Sequence, residues 1–256
     1  MKIALWIMVL LFTAPCLAGW WSRNSDARTR LPEDVFQTRK SWAADLSFGY
    51  NQNEGNVEQV TGFLGLSLSK LMPDYSLYFD SSMLYSRFGT LVVQNQKNAV
   101  VRVDYPVNER FKWFAFNTHA ENEFLRLKYR TTLGVGPWYD FVGKDWKNGI
   151  SLAPTFSYEE FFRQSIERKT TMSLRNYFVS KLNEQSTFGF DFFYVPKWDE
   201  ISDYHLFFQP FFETKIYKNL VSLKLSYTLE YDNRPAQGIE KADSEYMTSL
   251  TFHLGE

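Results

Sequence analysis

The chain has one cysteine, Cys16, and three histidines among 256 residues. Such scarcity excludes a disulfide-stapled fold, thiolate metal centres and a Cys nucleophile beyond position 16, and makes a His-rich transition-metal site implausible. Charge of one sign is missing too. Against 28 Lys and Arg stand 29 Asp and Glu, a net charge of −1, so there is no electrostatic footprint for nucleic acid. After the first 19 residues no stretch approaches the roughly 18 consecutive apolar residues of a membrane helix, and mean hydropathy is −0.34. A helical membrane protein is therefore excluded.

What the chain has in quantity is aromatic rings, 18% of all residues. They recur at the ends of segments that alternate apolar and polar side chains. The clearest is Val221 to Tyr231, VSLKLSYTLEY. Val221, Leu223, Leu225, Tyr227, Leu229 and Tyr231 share one parity, and Ser222, Lys224, Ser226, Thr228 and Glu230 the other. A strand sends successive side chains to opposite faces, so one face is apolar and one polar. Its length matches the about 9 to 11 residues with which a tilted strand crosses a bilayer.

The same test predicts about twelve strands. Their apolar faces fall at 42–50, 60–68, 77–85, 99–105, 114–120, 127–135, 150–158, around 172–174, 188–194, 204–212, 221–231 and 246–254. In the fifth, Phe114, Phe116, Thr118 and Ala120 are assigned outward. Outer-membrane barrels alternate short periplasmic turns with longer outer loops. Short turns are expected near 72–74, 107–110, 144–148, 183–185 and 217–219, and longer connections near 51–58, 87–97, 159–169, 196–203 and 232–244, with a short one at 121–126. Tyr50, Tyr85, Tyr129, Tyr158, Tyr194, Tyr204, Tyr231 and Tyr246 then all lie at the outer strand ends, as an interfacial girdle requires. A soluble lipocalin-like barrel also alternates, with its apolar face inside.

Residues 1–18 read as a secretory signal: one Lys, an apolar run from Ile3 to Phe12, and small residues before a cleavage point after Ala18. Acylation of Cys16 is the alternative, poorly matched by the preceding Pro15. Residues 19–40 have neither period and read as a flexible periplasmic segment. Residues 41–256 form the predicted domain, an all-β transmembrane antiparallel up-and-down barrel of Gram-negative outer-membrane type.

Two blocks carry a family likeness: the first hairpin, WAADLSFGYNQNEGNVEQVTGFLGLSLSK, and the central stretch NERFKWFAFNTHAENEFLRLKYRTTLGVGPWYDFV. With these the chain resembles the domain-of-unknown-function 481 family, described as salt-induced outer-membrane proteins of Gram-negative bacteria. The likeness covers most of 41–256. It implies an outer-membrane barrel and brings no catalytic residues with it.

Barrel hydrolases acting on lipids set a Ser two residues from a His on one strand. None of the histidines does so: His119 is followed by Ala-Glu, His205 by Leu-Phe and His253 by Leu-Gly. The loop carboxylates Glu54, Glu240, Asp243 and Glu245 lack the spacing of a Ca²⁺ loop. No catalytic, cofactor-binding or metal residue is assigned.

The polar parity supplies a lumen lining. Its principal members are Arg102, Asp104, His119, Glu121, Arg130, Arg175, Asp191, Glu213, Lys224 and Glu230; Asp45, Asp80, Lys128 and Lys215 join them, with Trp113, Phe193, Phe207 and Phe211 narrowing any path. Charges nearly balance, and about twelve strands fall between filled barrels of 8 and open ones of 16 to 18. The expected function is non-enzymatic, a structural or envelope-stress barrel of the outer membrane with its N-terminus periplasmic. The alternatives are a small, weakly selective passive channel and, more remotely, a lipid-acting hydrolase. Expected partners are outer-membrane lipid and the barrel-assembly machinery, with no cofactor.

Overall fold

The structure is a computed structural model and describes residues 42–53, 59–88, 90–122, 127–162, 166–235 and 241–255. The expected signal and N-terminal segment lie outside the described residues. Twelve strands follow one another: β1 (Trp42–Asn53), β2 (Gln59–Leu71), β3 (Ser76–Phe88), β4 (Leu91–Pro106), β5 (Phe111–Asn122), β6 (Leu127–Val142), β7 (Trp146–Phe161), β8 (Ile166–Lys181), β9 (Ser186–Pro196), β10 (Tyr204–Tyr217), β11 (Val221–Asp232) and β12 (Ala242–Gly255). Each is antiparallel to the next, and β1 pairs with β12 to close the barrel. Closure leaves no free edge for another chain to extend.

The closing seam is the shortest-paired part of the wall. Ala43 to Gly49 lie opposite Gly255 to Ser249, whereas β1 meets β2 all the way from Trp42 to Asn53. β4, β6, β7 and β8 have 16 residues each. About 9 to 11 tilted residues suffice to span a bilayer, so these hairpins project beyond the apolar belt. Here the structure corrects an expectation: the connection sought at 87–97 is only residues 89–90, because β3 and β4 run on as a paired hairpin.

At the end that holds both ends of the barrel's chain the turns are short, and two share one device. In Val107-Asn-Glu-Arg and Leu182-Asn-Glu-Gln the Asn side-chain oxygen accepts two backbone N–H groups, from Arg110 and Phe111 and from Gln185 and Ser186, at 2.8–2.9 Å. An Asx turn of this kind replaces backbone partners that a tight reversal cannot supply.

Register and burial assign the faces. Leu225 on β11 is 44% exposed, and its row continues through the outward Leu223 and Leu229, while Ser222 is 1% exposed. Apolar residues thus face out and polar ones in, the inverse of a soluble barrel. Tyrosines ring the exterior at the end away from the chain termini, with centroid separations of 6.5 Å for Tyr129 and Tyr158, 5.5 Å for Tyr194 and Tyr204, and 6.1 Å for Tyr204 and Tyr231. A second belt at the opposite end includes the exposed Trp42, Tyr105, Trp113, Tyr139, Phe141 and Trp146. Two aromatic belts flanking an apolar band are the outer surface of a transmembrane barrel.

β5 contradicts the sequence expectation. Phe114, Phe116, Thr118 and Ala120 are buried and share the face of Asp104, Arg102, Val100 and Asn98. They therefore point inward. Trp113, Ala115, Asn117, His119 and Glu121 share the outward face of Tyr105, Val103, Val101, Ala99 and Lys97. His119 and Glu121 do not line the lumen: the His119 ring contacts the outward Tyr129, and Glu121 pairs with Lys97 at 3.3 Å. Trp113 belongs to the exterior belt. Lys128 is also misassigned, because the register shift between Leu127 and Tyr129 turns it to an exposed position against Glu160.

Candidate functional site

The interior has three groups of charged residues. The first is centred on Trp138, a fully buried β6 side chain. Trp138 can stand inside a strand-lined space because its ring lies over Gly149 of β7, the register partner of Asp140. A Cβ at Gly149 would come within 2.1 Å of the Trp ring. Gly134 makes the same allowance for Phe116, at 2.4 Å. The indole N–H donates to Asp140 at 2.7 Å, and Lys147 pairs with the same carboxylate at 3.0 Å.

Three cations surround that ring: Arg102 at 4.9 Å, Lys112 at 5.1 Å and Arg175 at 5.4 Å from its centroid. Each also has a carboxylate. Asp104 accepts from Arg102 at 2.5 Å and 3.0 Å and pairs with Lys112 at 2.7 Å. Asp191 takes both Nε and Nη2 of Arg175 in the fork geometry that suits guanidinium and carboxylate. Phe114 lies 4.5 Å from Arg102, and Phe193 lies 4.9 Å from Arg175. A buried ion needs this degree of pairing, since removal from water costs several kcal/mol per charge. The assembly packs the interior solidly along β4 to β9.

The second group lies toward the outer tyrosine belt. Glu159 on β7 holds Arg130 of β6 at 2.8 Å and Lys169 of β8 at 3.0 Å. On β10, His205 is 3.5 Å from Asp232 of β11.

The third group bridges the seam. Asp45 on β1 lies 2.8 Å from Nδ1 of His253 on β12, whose Nε2 lies 2.8 Å from the Ser222 hydroxyl on β11. That hydroxyl donates to Glu213 on β10. The order carboxylate, imidazole, hydroxyl is the one used by serine hydrolases. Here Ser222 is 1% exposed and its hydroxyl donates to Glu213 rather than to the imidazole. These bonds tie four strands together across the shortest ladder of the barrel.

Of the residues expected to line the lumen, Arg102, Asp104, Arg175 and Asp191 thus meet around Trp138, Arg130 joins Glu159, and Glu213 joins the seam. Lys224 lies inward beside Phe211, 4.4 Å from its ring, and Glu230 occupies the same inner row. Trp138, Lys112, Lys147, Asp140 and His253 were missed. A test for Ser two residues from His cannot find a serine 31 residues away on the adjacent strand.

The interior is unequal around its circumference. Along β4 to β9 the inward residues of the strand middles are buried, as are Ser249, Thr251 and His253 on β12. Along β11, β1, β2 and β3, Lys224, Ser226, Glu230, Asp45, Ser67 and Asp80 are only half-buried. Ser67 donates to Asp80 at 2.5 Å, and Gln209 on β10 donates to Thr228 at 2.8 Å. The carboxylates of this arc outnumber its ammonium.

Among solved structures, the NanC porin is 13% identical, with a TM-score of 0.54 covering 82% of this chain and 100% of that one. The COG4313 outer membrane channel from Pseudomonas putida F1 is 8% identical, with a TM-score of 0.53 covering 91% and 99%. Likeness at such identity concerns the fold. No curated protein matches the chain. The model of the protein family of unknown function DUF481 matches residues 46–254. This twelve-stranded barrel of outer-membrane type belongs to the DUF481 family.

Proposed function

We propose that the protein is a non-enzymatic outer-membrane barrel acting as a narrow passive pore with a modest preference for cations. The observation that carries this reading is the unequal interior. Fixed cations such as Arg102, Lys112 and Arg175 are paired within the packed half. The half-buried arc carries three carboxylates, Asp45, Asp80 and Glu230, and one ammonium, Lys224, with Asp45 held by His253 and Asp80 by Ser67. A path along that arc meets more negative than positive charge, and charged walls of one sign select the opposite ion. The porin and channel folds of the structural neighbours support the same reading.

We also propose that the end bearing Trp42 and the short turns faces the periplasm, that residues 1–18 are a removed leader, and that the barrel-assembly machinery inserts the chain. Short periplasmic turns are the general pattern of such barrels. A structural, envelope-supporting role is the second reading, favoured by the solid packing of β4 to β9.

Planar-bilayer recording of the refolded protein in a salt gradient tests the first reading. Small, discrete conductance is expected, with a reversal potential favouring cations that grows in Lys224→Gln. An anion-favouring potential would overturn the assignment of the path. Complete absence of conductance would leave the structural role.

A further inference from the structure

The outer face has a concavity unrelated to the lumen. It has a volume of about 510 Å³, lies open on β6, β7 and β8 beside the turn at 143–145, and is lined by Phe141, Trp146, Asn148, Phe178 and Ser180. All five belong to outward rows, since Asn148 is in register with both Phe141 and Phe178, and Trp146 with Ser180. Asn176 adjoins them. Two amides therefore stand in a row whose other members on these strands include Ile150, Leu152 and Leu174.

Asn176 donates its side-chain N–H to the Asn148 side-chain oxygen at 3.0 Å and to the Gly149 carbonyl at 3.4 Å. This leaves the Asn148 NH₂ and the Asn176 carbonyl oxygen without a protein partner among the described residues. A polar group facing hydrocarbon is costly unless something satisfies it. These amides lie next to Trp146, in the aromatic belt, where the polar groups available from lipid are glycerol esters. Beyond them the turn carries Lys144 and Asp145, both exposed and neither in an ion pair among the described residues. Adjacent unlike charges match a headgroup that holds its own phosphate and ammonium.

We propose that this cleft binds one glycerophospholipid with a zwitterionic amino headgroup. Its acyl chain lies against Phe141 and Phe178, an ester carbonyl accepts from Asn148, and its phosphate and ammonium meet Lys144 and Asp145. The inference rests on the outer face being in lipid, with this end toward the phospholipid leaflet, and does not depend on conduction.

Native mass spectrometry of the full barrel tests it, in detergent with an equimolar mixture of phosphatidylethanolamine and phosphatidylglycerol. One phosphatidylethanolamine should survive activation that strips other lipid. Asn148→Leu with Asn176→Leu should lower its occupancy roughly tenfold, the scale of one or two lost hydrogen bonds. Lys144→Gln with Asp145→Asn should abolish the headgroup preference, and Leu225→Ala on β11 should change nothing. Phe178→Ala, which spares the ladder, is the second route to the same loss if the amide variant fails to insert. Equal retention in wild type and cleft variants, equal binding of phosphatidylglycerol by the wild type, or dimers in place of lipid adducts would each overturn the proposal.

Discussion

Replacing Trp138 with alanine should be the most damaging single change in the interior. The ring is fully buried, touches Phe114 edge-on at 6.2 Å and lies within 5.4 Å of three cationic groups. Truncating a buried Phe or Trp costs about 3–5 kcal/mol. Each desolvated cation over a ring adds about 1 kcal/mol, though not additively, and Arg102, Lys112 and Arg175 keep their carboxylates. We therefore expect about 5 kcal/mol. Trp138→Phe keeps a ring but removes the N–H that Asp140 accepts; since Lys147 still pairs with that carboxylate, about 2 kcal/mol should be lost. Urea unfolding of the detergent-refolded barrel, followed by loss of heat-modifiable mobility on a gel, measures both. A loss under about 1 kcal/mol for Trp138→Ala would refute the view that the indole organises the packed half. Equal losses for the two variants would assign the effect to the Asp140 bond rather than the ring.

Leu225→Arg should reduce folding into bilayers by about 2–4 kcal/mol while Ser226→Arg is tolerated, because only the first sets a cation in lipid; comparing vesicle folding yields checks the order. Ala115→Arg should carry a similar cost if β5 presents Ala115 outward, as its register with Val103 and Val135 requires, and normal insertion would reverse that face. His253→Leu should cost about 2 kcal/mol in urea unfolding by leaving Asp45 and Ser222 without their shared partner, and a double-mutant cycle with Asp45→Asn should show coupling. Gly149→Ala should cost about 1–3 kcal/mol, since the new methyl meets the Trp138 ring, and pairing it with Trp138→Phe should give a non-additive sum.

Where the two faces differ in polarity, a strand announces its orientation. β11 does so because its inner row, Ser222 to Glu230, borders the half-buried arc and can be polar throughout, while its outer row meets lipid. β5 does not, because its inner row enters the packed half, where Phe114 and Phe116 join Trp138 and Tyr177 in one cluster. Its outer row meanwhile carries Asn117, His119 and Glu121. Period 2 survives in β5, but the rule that links polarity to the lumen reverses, and a parity argument then selects the wrong face. One glycine of β6 held part of the missing signal: Gly134 stands opposite Phe116 and leaves the room that its ring takes. The seam group was illegible for a different reason. Asp45, Glu213, Ser222 and His253 meet only after the first strand finds the last, a pairing that alternation within any one strand cannot report. The residues that segregate the interior into a packed half and a half-buried arc are thus those whose neighbours are set by closure and register. Strand-by-strand polarity could count the walls and orient most of them, but the near balance of charge it found along the inner face conceals an unequal distribution around the circumference.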